Sequence, residues 1–171
     1  MEKVYLPAFF EKVIILERRI MQKVTVLMST YNGEKYIKEQ LDSILKQKDV
    51  EIELIIRDDC STDNTLQILK MYEKENSNIQ VVYGEKNLGV TRSFFDLISN
   101  FCDSQYYALA DQDDIWDQDK LISAIKMLEA RSQESPLLYY SNLKIVDSNG
   151  KVKLGYEDRA KFIVTTLNDA L

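Results

Sequence analysis

Residues 24–33 read VTVLMSTYNG, a run of apolar and β-branched residues followed at once by turn-forming residues. The first half predicts a buried β-strand, and the Ser-Thr-Tyr-Asn-Gly half predicts the loop after it. Immediately downstream, Ile37, Leu41 and Ile44 fall on one face of a helix predicted over 34–47. A strand that leads directly into a helix is the first half of a βαβ unit.

The alternation of strands and helices continues along the chain. Further strands are predicted at 52–56, 79–83, 106–110 and 137–146. Helices between them are predicted from Leu66, Ile68, Leu69 and Tyr72, with Ser61 or Asp63 as N-cap, then from Val90, Phe94, Leu97, Ile98 and Phe101, and from Leu121, Ile125 and Leu128. This order predicts an α/β protein with a parallel sheet and right-handed crossovers.

The amino-acid composition limits the catalytic and metal-binding systems that the chain can contain. The 171 residues are 45% hydrophobic, which is enough for one domain with a sizeable core. The absence of histidine excludes Ser-His-Asp and Cys-His catalytic systems and histidine metal ligands. A net charge of −6 argues against sequence-blind nucleic-acid binding. Acid–base or metal chemistry must therefore fall to carboxylates.

Two features of the sequence indicate where in the cell the protein is located: its two cysteines and its N-terminal segment. Cys60 and Cys102 are too few for a disulfide framework and too far apart for a CxxC motif, which predicts reduced thiols in a cytoplasmic protein. Residues 1–21 have neither the pattern of a signal peptide nor the length of a membrane span. They predict either an amphipathic helix on a membrane or partner, or an extension that packs weakly, before a compact domain at 22–171.

Polar residues follow three of the predicted strands. They occupy 29–32 after the first strand, 58–59 after the second and 111–114 after the fourth. Ligands of parallel sheets bind beyond the carboxyl ends of the strands, where these three groups are expected to meet. The sequence therefore predicts a polar ligand site at that edge.

The Asp-Gln-Asp-Asp run at 111–114 is the most informative of these groups. Its carboxylates would repel one another unless a cation neutralised them, and Asp111 and Asp113 can address one ion from an extended segment. The alternative is a solvated acidic loop in which Asp114 or Asp117 caps the next helix. No Walker A lysine, GxGxxG or GxSxG motif is present, so a cation that bridges a diphosphate is the more economical way to hold a nucleotide.

Other polar and aromatic residues keep two interpretations each. Asp58 and Asp59 either accept hydrogen bonds from a base or ribose, or cap a helix and pair with Arg57. Tyr31 either stacks on a base or is partly buried structure. Arg92, on the first turn of a helix, either contacts a base or phosphate or forms a surface ion pair. Trp116 either packs in the core or lines a sugar pocket.

Four ordered motifs resemble the N-terminal half of the family 2 glycosyltransferases. They are VTVLMSTYNG at 24–33, RDDCSTDNT at 57–65, NLGVTR at 87–92 and ADQDDIWDQDKL at 110–121. The DQDDIW string followed by DKL is most similar to the rhamnosyltransferase-type branch. The resemblance covers residues 22–150 and implies a Rossmann-like GT-A fold, with a mostly parallel sheet and helices on both faces.

The resemblance also implies an activity. An inverting enzyme would transfer a sugar, rhamnose in this branch, from a UDP- or dTDP-sugar to a saccharide or lipid-linked saccharide in cell-surface polysaccharide synthesis. Asp111 and Asp113 match the DxD motif that holds Mn²⁺ or Mg²⁺, and Asp59 matches the acid that reads a pyrimidine imide. The nucleotide-binding set that it implies is Ser29, Tyr31, Asn32, Glu34, Asp58, Asp59, Arg92, Asp111 and Gln112.

One departure from the family pattern concerns the catalytic base. Family members place a carboxylate base well downstream of DxD, and the Glu157-Asp158 pair lacks the usual setting, so no catalytic residue is carried over. We therefore expect a donor-binding portion whose acceptor part is missing. The alternative function is a non-catalytic nucleotide-sugar-binding fragment or subunit. A weaker one, phosphoryl or nucleotidyl transfer, lacks its expected glycine- and lysine-rich loop.

Overall fold

The computed structural model describes residues 21–101, 103–131, 136–141 and 143–147, together with the backbone of 152–155 and 165–166. The elements run in chain order β1 Gln22–Thr30, α1 Ile37–Leu45, β2 Val50–Asp58, α2 Thr65–Glu75, β3 Ile79–Tyr83, α3 Val90–Asn100, β4 Tyr106–Ala110 and α4 Lys120–Glu129, then the short strands β5 Leu137–Leu138, β6 Lys144–Val146, β7 Val152–Gly155 and β8 Thr165–Thr166. None of the described helices is long and apolar enough to cross a membrane.

The first four strands form one parallel sheet in the order β3-β2-β1-β4. In register, Met28 of β1 lies beside Ile56 of β2 on one side and Ala110 of β4 on the other. The carboxyl ends of β1, β2 and β4 therefore reach the same edge. The predicted parallel sheet and its four strands are confirmed.

Side chains alternate between the two faces of the sheet, and helices cover both. One face carries Val26 and Met28 and packs against residues of α1, α2 and α4. The opposite face carries Leu27 and Ile55, which pack against Leu97 of α3. The buried side chains thus form two layers of core, one on each face of the sheet.

Three predictions about elements need correction. The strand predicted over 137–146 is instead β5 and β6, because their backbone hydrogen bonds go to different partner strands, β8 and β7, in separate two-stranded sheets. The helix predicted to start at 34 starts at Ile37, after a turn. Val90, predicted to face the core, is 65% exposed at the start of α3. The predictions for residues 1–20 and for Glu157-Asp158 lie outside the described residues.

Candidate donor site

An open cavity of about 390 Å³ lies at the carboxyl edge of the sheet. The residues that line it are Ser29, Tyr31, Asp59, Asn87, Gly89, Val90, Asp111, Gln112 and Asp113. They come from the ends of β1, β2 and β4 and from the start of α3. The predicted convergence of the three polar groups at one edge is confirmed, whereas their binding roles stay predictions.

Two residues of the predicted nucleotide-binding set hold loops together instead of lining the cavity. Asn32, in the left-handed region with φ 49°, accepts a hydrogen bond from Thr62 N–H through Oδ1, at 2.8 Å, and its own N–H donates to Ser61 Oγ at 2.9 Å. Glu34 Oε2 accepts from the backbone and side-chain N–H groups of Asn64, at 2.9 and 2.8 Å. These contacts fix the loop after β1 against the loop after β2.

Asp58 and Asp59 are buried, and both accept hydrogen bonds from the backbone of neighbouring loops. Asp59 pairs with Arg57 at 3.2 Å and accepts hydrogen bonds from the backbone N–H groups of Leu88 and Gly89, at 2.8–2.9 Å. Asp58 Oδ2 accepts from Ser61 N–H at 2.9 Å. Asp59 still lines the cavity, whereas Asp58 does not. The ion pair with Arg57 agrees with the second interpretation of this pair.

Gln112 links the loop after β4 to the loop after β1. Its Oε1 accepts hydrogen bonds from Thr30 Oγ1 at 2.7 Å and from Tyr31 N–H at 2.9 Å. A Cβ built on Gly33 would lie 2.6 Å from the same oxygen, so only glycine leaves room for the carboxamide. The carboxylates on either side of Gln112 are thereby held at a fixed distance from the turn that carries Tyr31.

The acidic run after β4, residues 111–114, carries three carboxylates close together in the sequence. Burial, together with the charges of Asp114 and Asp113, raises the pKa of Asp111 above its usual value. Asp111 and Asp113 both line the cavity. The N-cap of α4 is Asp119, so neither Asp114 nor Asp117 takes the capping position of the alternative interpretation. The arrangement concentrates negative charge at the cavity wall.

Two carboxylates on one cavity suit a hard divalent cation. Among the described residues, no group of three or more histidine, cysteine or acidic side chains is placed to hold a metal ion. Mg²⁺ is commonly held by only one or two carboxylates, with water and substrate phosphates completing its shell. The donor set of Asp111 and Asp113 therefore fits an ion that binds together with a diphosphate.

Tyr31, Trp116 and Arg92, each of which had two interpretations from the sequence, lie in different surroundings in the structure. Tyr31 is 46% exposed and lines the cavity, and its stacking on a base stays a prediction. Trp116 is buried in the core, its backbone N–H donates to Ser43 Oγ, and Lys120 lies over its ring. Arg92 is exposed on the first turn of α3 and is not among the cavity-lining residues.

Three lining residues were absent from the predicted set. Asn87, Gly89 and Val90 reach the cavity because Asp59 draws the Leu88-Gly89 backbone towards β2. Gly89 has φ 77°, a conformation that glycine adopts readily. The NLG sequence before the helix was the available signal, since Asn and Gly mark a turn at a helix start.

The chain matches the family described as Glycosyl transferase family 2 over residues 25–148. It is 43% identical over 105 residues to the dTDP-rhamnosyl transferase RfbG of Shigella flexneri, covering 59% of this chain and 36% of the relative. It is 38% identical over 109 residues to TuaG of Bacillus subtilis, a putative teichuronic acid biosynthesis glycosyltransferase, covering 64% of this chain and 43% of that relative. The chain thus spans less than half the length of these relatives.

Solved structures share the fold. TarS 1–349 of Staphylococcus aureus, in complex with UDP, is similar at a TM-score of 0.62 and 31% identity, covering 72% of this chain and 36% of that one. The mannosyltransferase PcManGT of Pyrobaculum calidifontis, in complex with GDP-Man and Mn²⁺, is similar at a TM-score of 0.63 and 20% identity, covering 80% and 42%. The second likeness concerns the fold alone. Together they confirm the predicted GT-A fold.

Proposed function

The chain belongs to the family 2 glycosyltransferases, and from that premise we propose that its cavity binds a nucleoside-diphosphate sugar. The sugar is transferred to an acceptor hydroxyl in cell-surface polysaccharide synthesis. The observation that carries this proposal is the presence of Asp111, Asp113 and the exposed ring of Tyr31 on one open cavity. The cavity has the size of a small-molecule site, and it offers a cation site beside a surface on which a base can stack.

The nucleotide-binding roles divide into direct and indirect ones. Ser29, Tyr31, Asp59, Asp111 and Gln112 line the cavity and would touch the nucleotide. Three other members of the set, Asn32, Glu34 and Asp58, act indirectly by holding the loops in place. Arg92 does not line the cavity and would reach a phosphate or base from the first turn of α3.

A divalent cation, Mn²⁺ or Mg²⁺, would be held by Asp111 and Asp113. When bound, the ion stabilises the negative charge that develops on the departing diphosphate. The protein contributes the two carboxylates and keeps them at their place through the Gln112 link to Thr30 and Tyr31. Burial raises the pKa of Asp111, and so do the charges of Asp114 and Asp113; a bound cation would relieve that repulsion.

The donor and acceptor follow from the relatives. The likeness to a dTDP-rhamnosyl transferase supports rhamnose and dTDP, and the UDP complex of TarS supports a UDP-sugar as the other candidate. As the acceptor we propose a saccharide or lipid-linked saccharide, and as the place of the reaction the cytoplasm, at the inner face of the membrane. TuaG, named for teichuronic acid biosynthesis, supports a cell-surface polymer.

Transfer with inversion needs a base that takes the proton of the acceptor hydroxyl. We assign that role to none of the cavity carboxylates. Asp59 is engaged by Arg57 and by two backbone N–H groups, and Asp111 and Asp113 are committed to the cation. The base belongs to the acceptor side of the enzyme.

The proposal is tested by thermal unfolding of the chain with UDP or dTDP, with and without Mn²⁺. We expect nucleotide and metal together to raise the Tm, because a ligand that binds only the native state stabilises it. Asp113→Asn should lose the metal-dependent part of the shift. Asp103→Asn, which removes the same charge from an exposed position at the start of β4, should keep it. No shift of the wild-type Tm at saturating nucleotide and metal contradicts the proposal.

A further inference from the structure

The chemistry of its partners fixes the orientation of the Gln112 carboxamide. Oε1 accepts one hydrogen bond from Thr30 Oγ1 and one from the backbone N–H of Tyr31. A backbone N–H can only donate, so the oxygen of the carboxamide, and not its nitrogen, must face Tyr31. The orientation is therefore set by the fold before any ligand arrives.

With Oε1 committed to the loop after β1, Nε2 is left for another partner. No described residue accepts a hydrogen bond from Nε2, and Gln112 lines the cavity. The neighbouring lining side chains Asp59, Asp111 and Asp113 carry carboxylates, which when ionised only accept hydrogen bonds. The Nε2 group thus supplies a donor to a wall that is rich in acceptors.

The turn after β1 is shaped to hold this carboxamide. A Cβ on Gly33 would lie 2.6 Å from Gln112 Oε1 and 3.0 Å from Thr30 Oγ1. Gly33 in turn donates its N–H to Thr65 Oγ1 at 2.8 Å, in the network that ties the loops after β1 and β2 together. The carboxamide oxygen therefore lies between Thr30, Tyr31 and Gly33, in a turn that Thr65 holds in place.

We propose that Gln112 has two separable roles in the donor site, an inference that rests on the proposed function. Its Oε1 positions the Tyr31 turn against the carboxylates of Asp111 and Asp113. Its Nε2 donates a hydrogen bond to an acceptor oxygen of the nucleoside diphosphate. Such oxygens are present on both the ribose and the phosphates, and the probes below distinguish them.

Two substitutions of similar length separate the roles. Gln112→Glu keeps an oxygen acceptor for Thr30 and Tyr31 and removes the N–H donor. Gln112→Met removes both and adds no charge. Gln67→Glu, at an exposed position on α2, is the control for the added negative charge. The probes are UDP with Mn²⁺, measured by calorimetry, and uridine without metal, measured by ligand-observed NMR.

We expect Gln112→Met to unfold at a lower temperature than Gln112→Glu, because the glutamate keeps the acceptor for Thr30 and Tyr31 although it adds a charge beside Asp111 and Asp113. Both should bind UDP about tenfold more weakly, the size of a lost hydrogen bond to a charged or strongly polar acceptor. Gln67→Glu should match the wild type in both measurements. For Gln112→Met, which adds no charge, a loss already seen with uridine assigns the hydrogen bond to the ribose, and a loss confined to UDP assigns it to a phosphate.

Two results overturn the inference alone. One is binding of UDP by Gln112→Glu or Gln112→Met within about twofold of a wild type that does bind it. The other is equal destabilisation of the two variants, which would remove the positioning role. Failure of the wild type to bind either UDP or dTDP with Mn²⁺ overturns the proposed function and this inference with it.

Discussion

Asp63 joins the loops that follow β1 and β2. Its Oδ1 accepts hydrogen bonds from the N–H and the hydroxyl of Thr65, at 3.0 and 2.5 Å, and its Oδ2 accepts from Glu34 N–H at 3.1 Å. Burial alone would raise the pKa of Asp63, but these hydrogen bonds outweigh it and hold the pKa below the usual 3.8. A residue that never reaches the cavity thus helps to shape it.

We predict that Asp63→Ala lowers the free energy of unfolding by about 1–3 kcal/mol near neutral pH, because the donors lose their charged acceptor. The lowered pKa means that the folded state favours the ionised form. The stabilisation is therefore present above pH 3.8 and is lost as the pH falls through the folded-state value. Urea unfolding of both proteins at about pH 7 and about pH 3 should show the difference narrowing.

The exposed Asp103 provides the control for this prediction, since Asp103→Ala should change stability by no more than about 0.5 kcal/mol. A gap between wild type and Asp63→Ala that stays constant between the two pH values would refute the role given to the Asp63 carboxylate.

At the scale of elements, the spacing of apolar residues along the sequence predicted most of the buried positions. Ile37, Leu41 and Ile44 of α1 are buried as helical spacing requires, and the apolar residues of β1 are buried too, whereas Leu109 of β4 is 54% exposed. The 137–146 prediction was wrong because β5 and β6 join two separate two-stranded sheets, and because β5 pairs with β8, which lies far along the chain. Local pattern carries no information about such distant partners.

Leu41 on α1 tests the core at this scale. It is fully buried against the sheet, so Leu41→Ala should lower the free energy of unfolding by about 2–5 kcal/mol, the cost of lost contact and of the cavity left behind. Met71→Ala, at an exposed position of α2, should change it by less than about 0.5 kcal/mol. Chemical denaturation measures both, and similar losses for the two variants would place the core elsewhere.

Gly33 tests the contact between two loops. Gly33→Ala should push the Gln112 carboxamide out of its place, since the new methyl group would meet Oε1 at 2.6 Å. The displaced atom ends a flexible side chain, so we expect a small loss of stability but weaker binding of UDP with Mn²⁺. Calorimetry on Gly33→Ala checks this, and unchanged affinity would show that the contact does not serve the cavity.

At the scale of the whole molecule, the order of strands and helices predicted the position of the candidate site better than any single motif did. Parallel strands bring the residues after β1, β2 and β4 to one edge, and this was predictable from the order of elements. The partners of Asn32 and Glu34 were not, because their hydrogen bonds join loops about 30 residues apart in sequence. Sequence could therefore locate the site but could not separate the residues that line it from those that support it.

The central claim is that Asp111 and Asp113 hold a divalent cation together with the diphosphate of a nucleotide sugar. The most direct test is an anomalous difference map from crystals of the chain grown with UDP and Mn²⁺. We predict a manganese peak bounded by these two carboxylates and the diphosphate. UDP in the cavity with no manganese peak there, or with manganese bound elsewhere, would contradict the account.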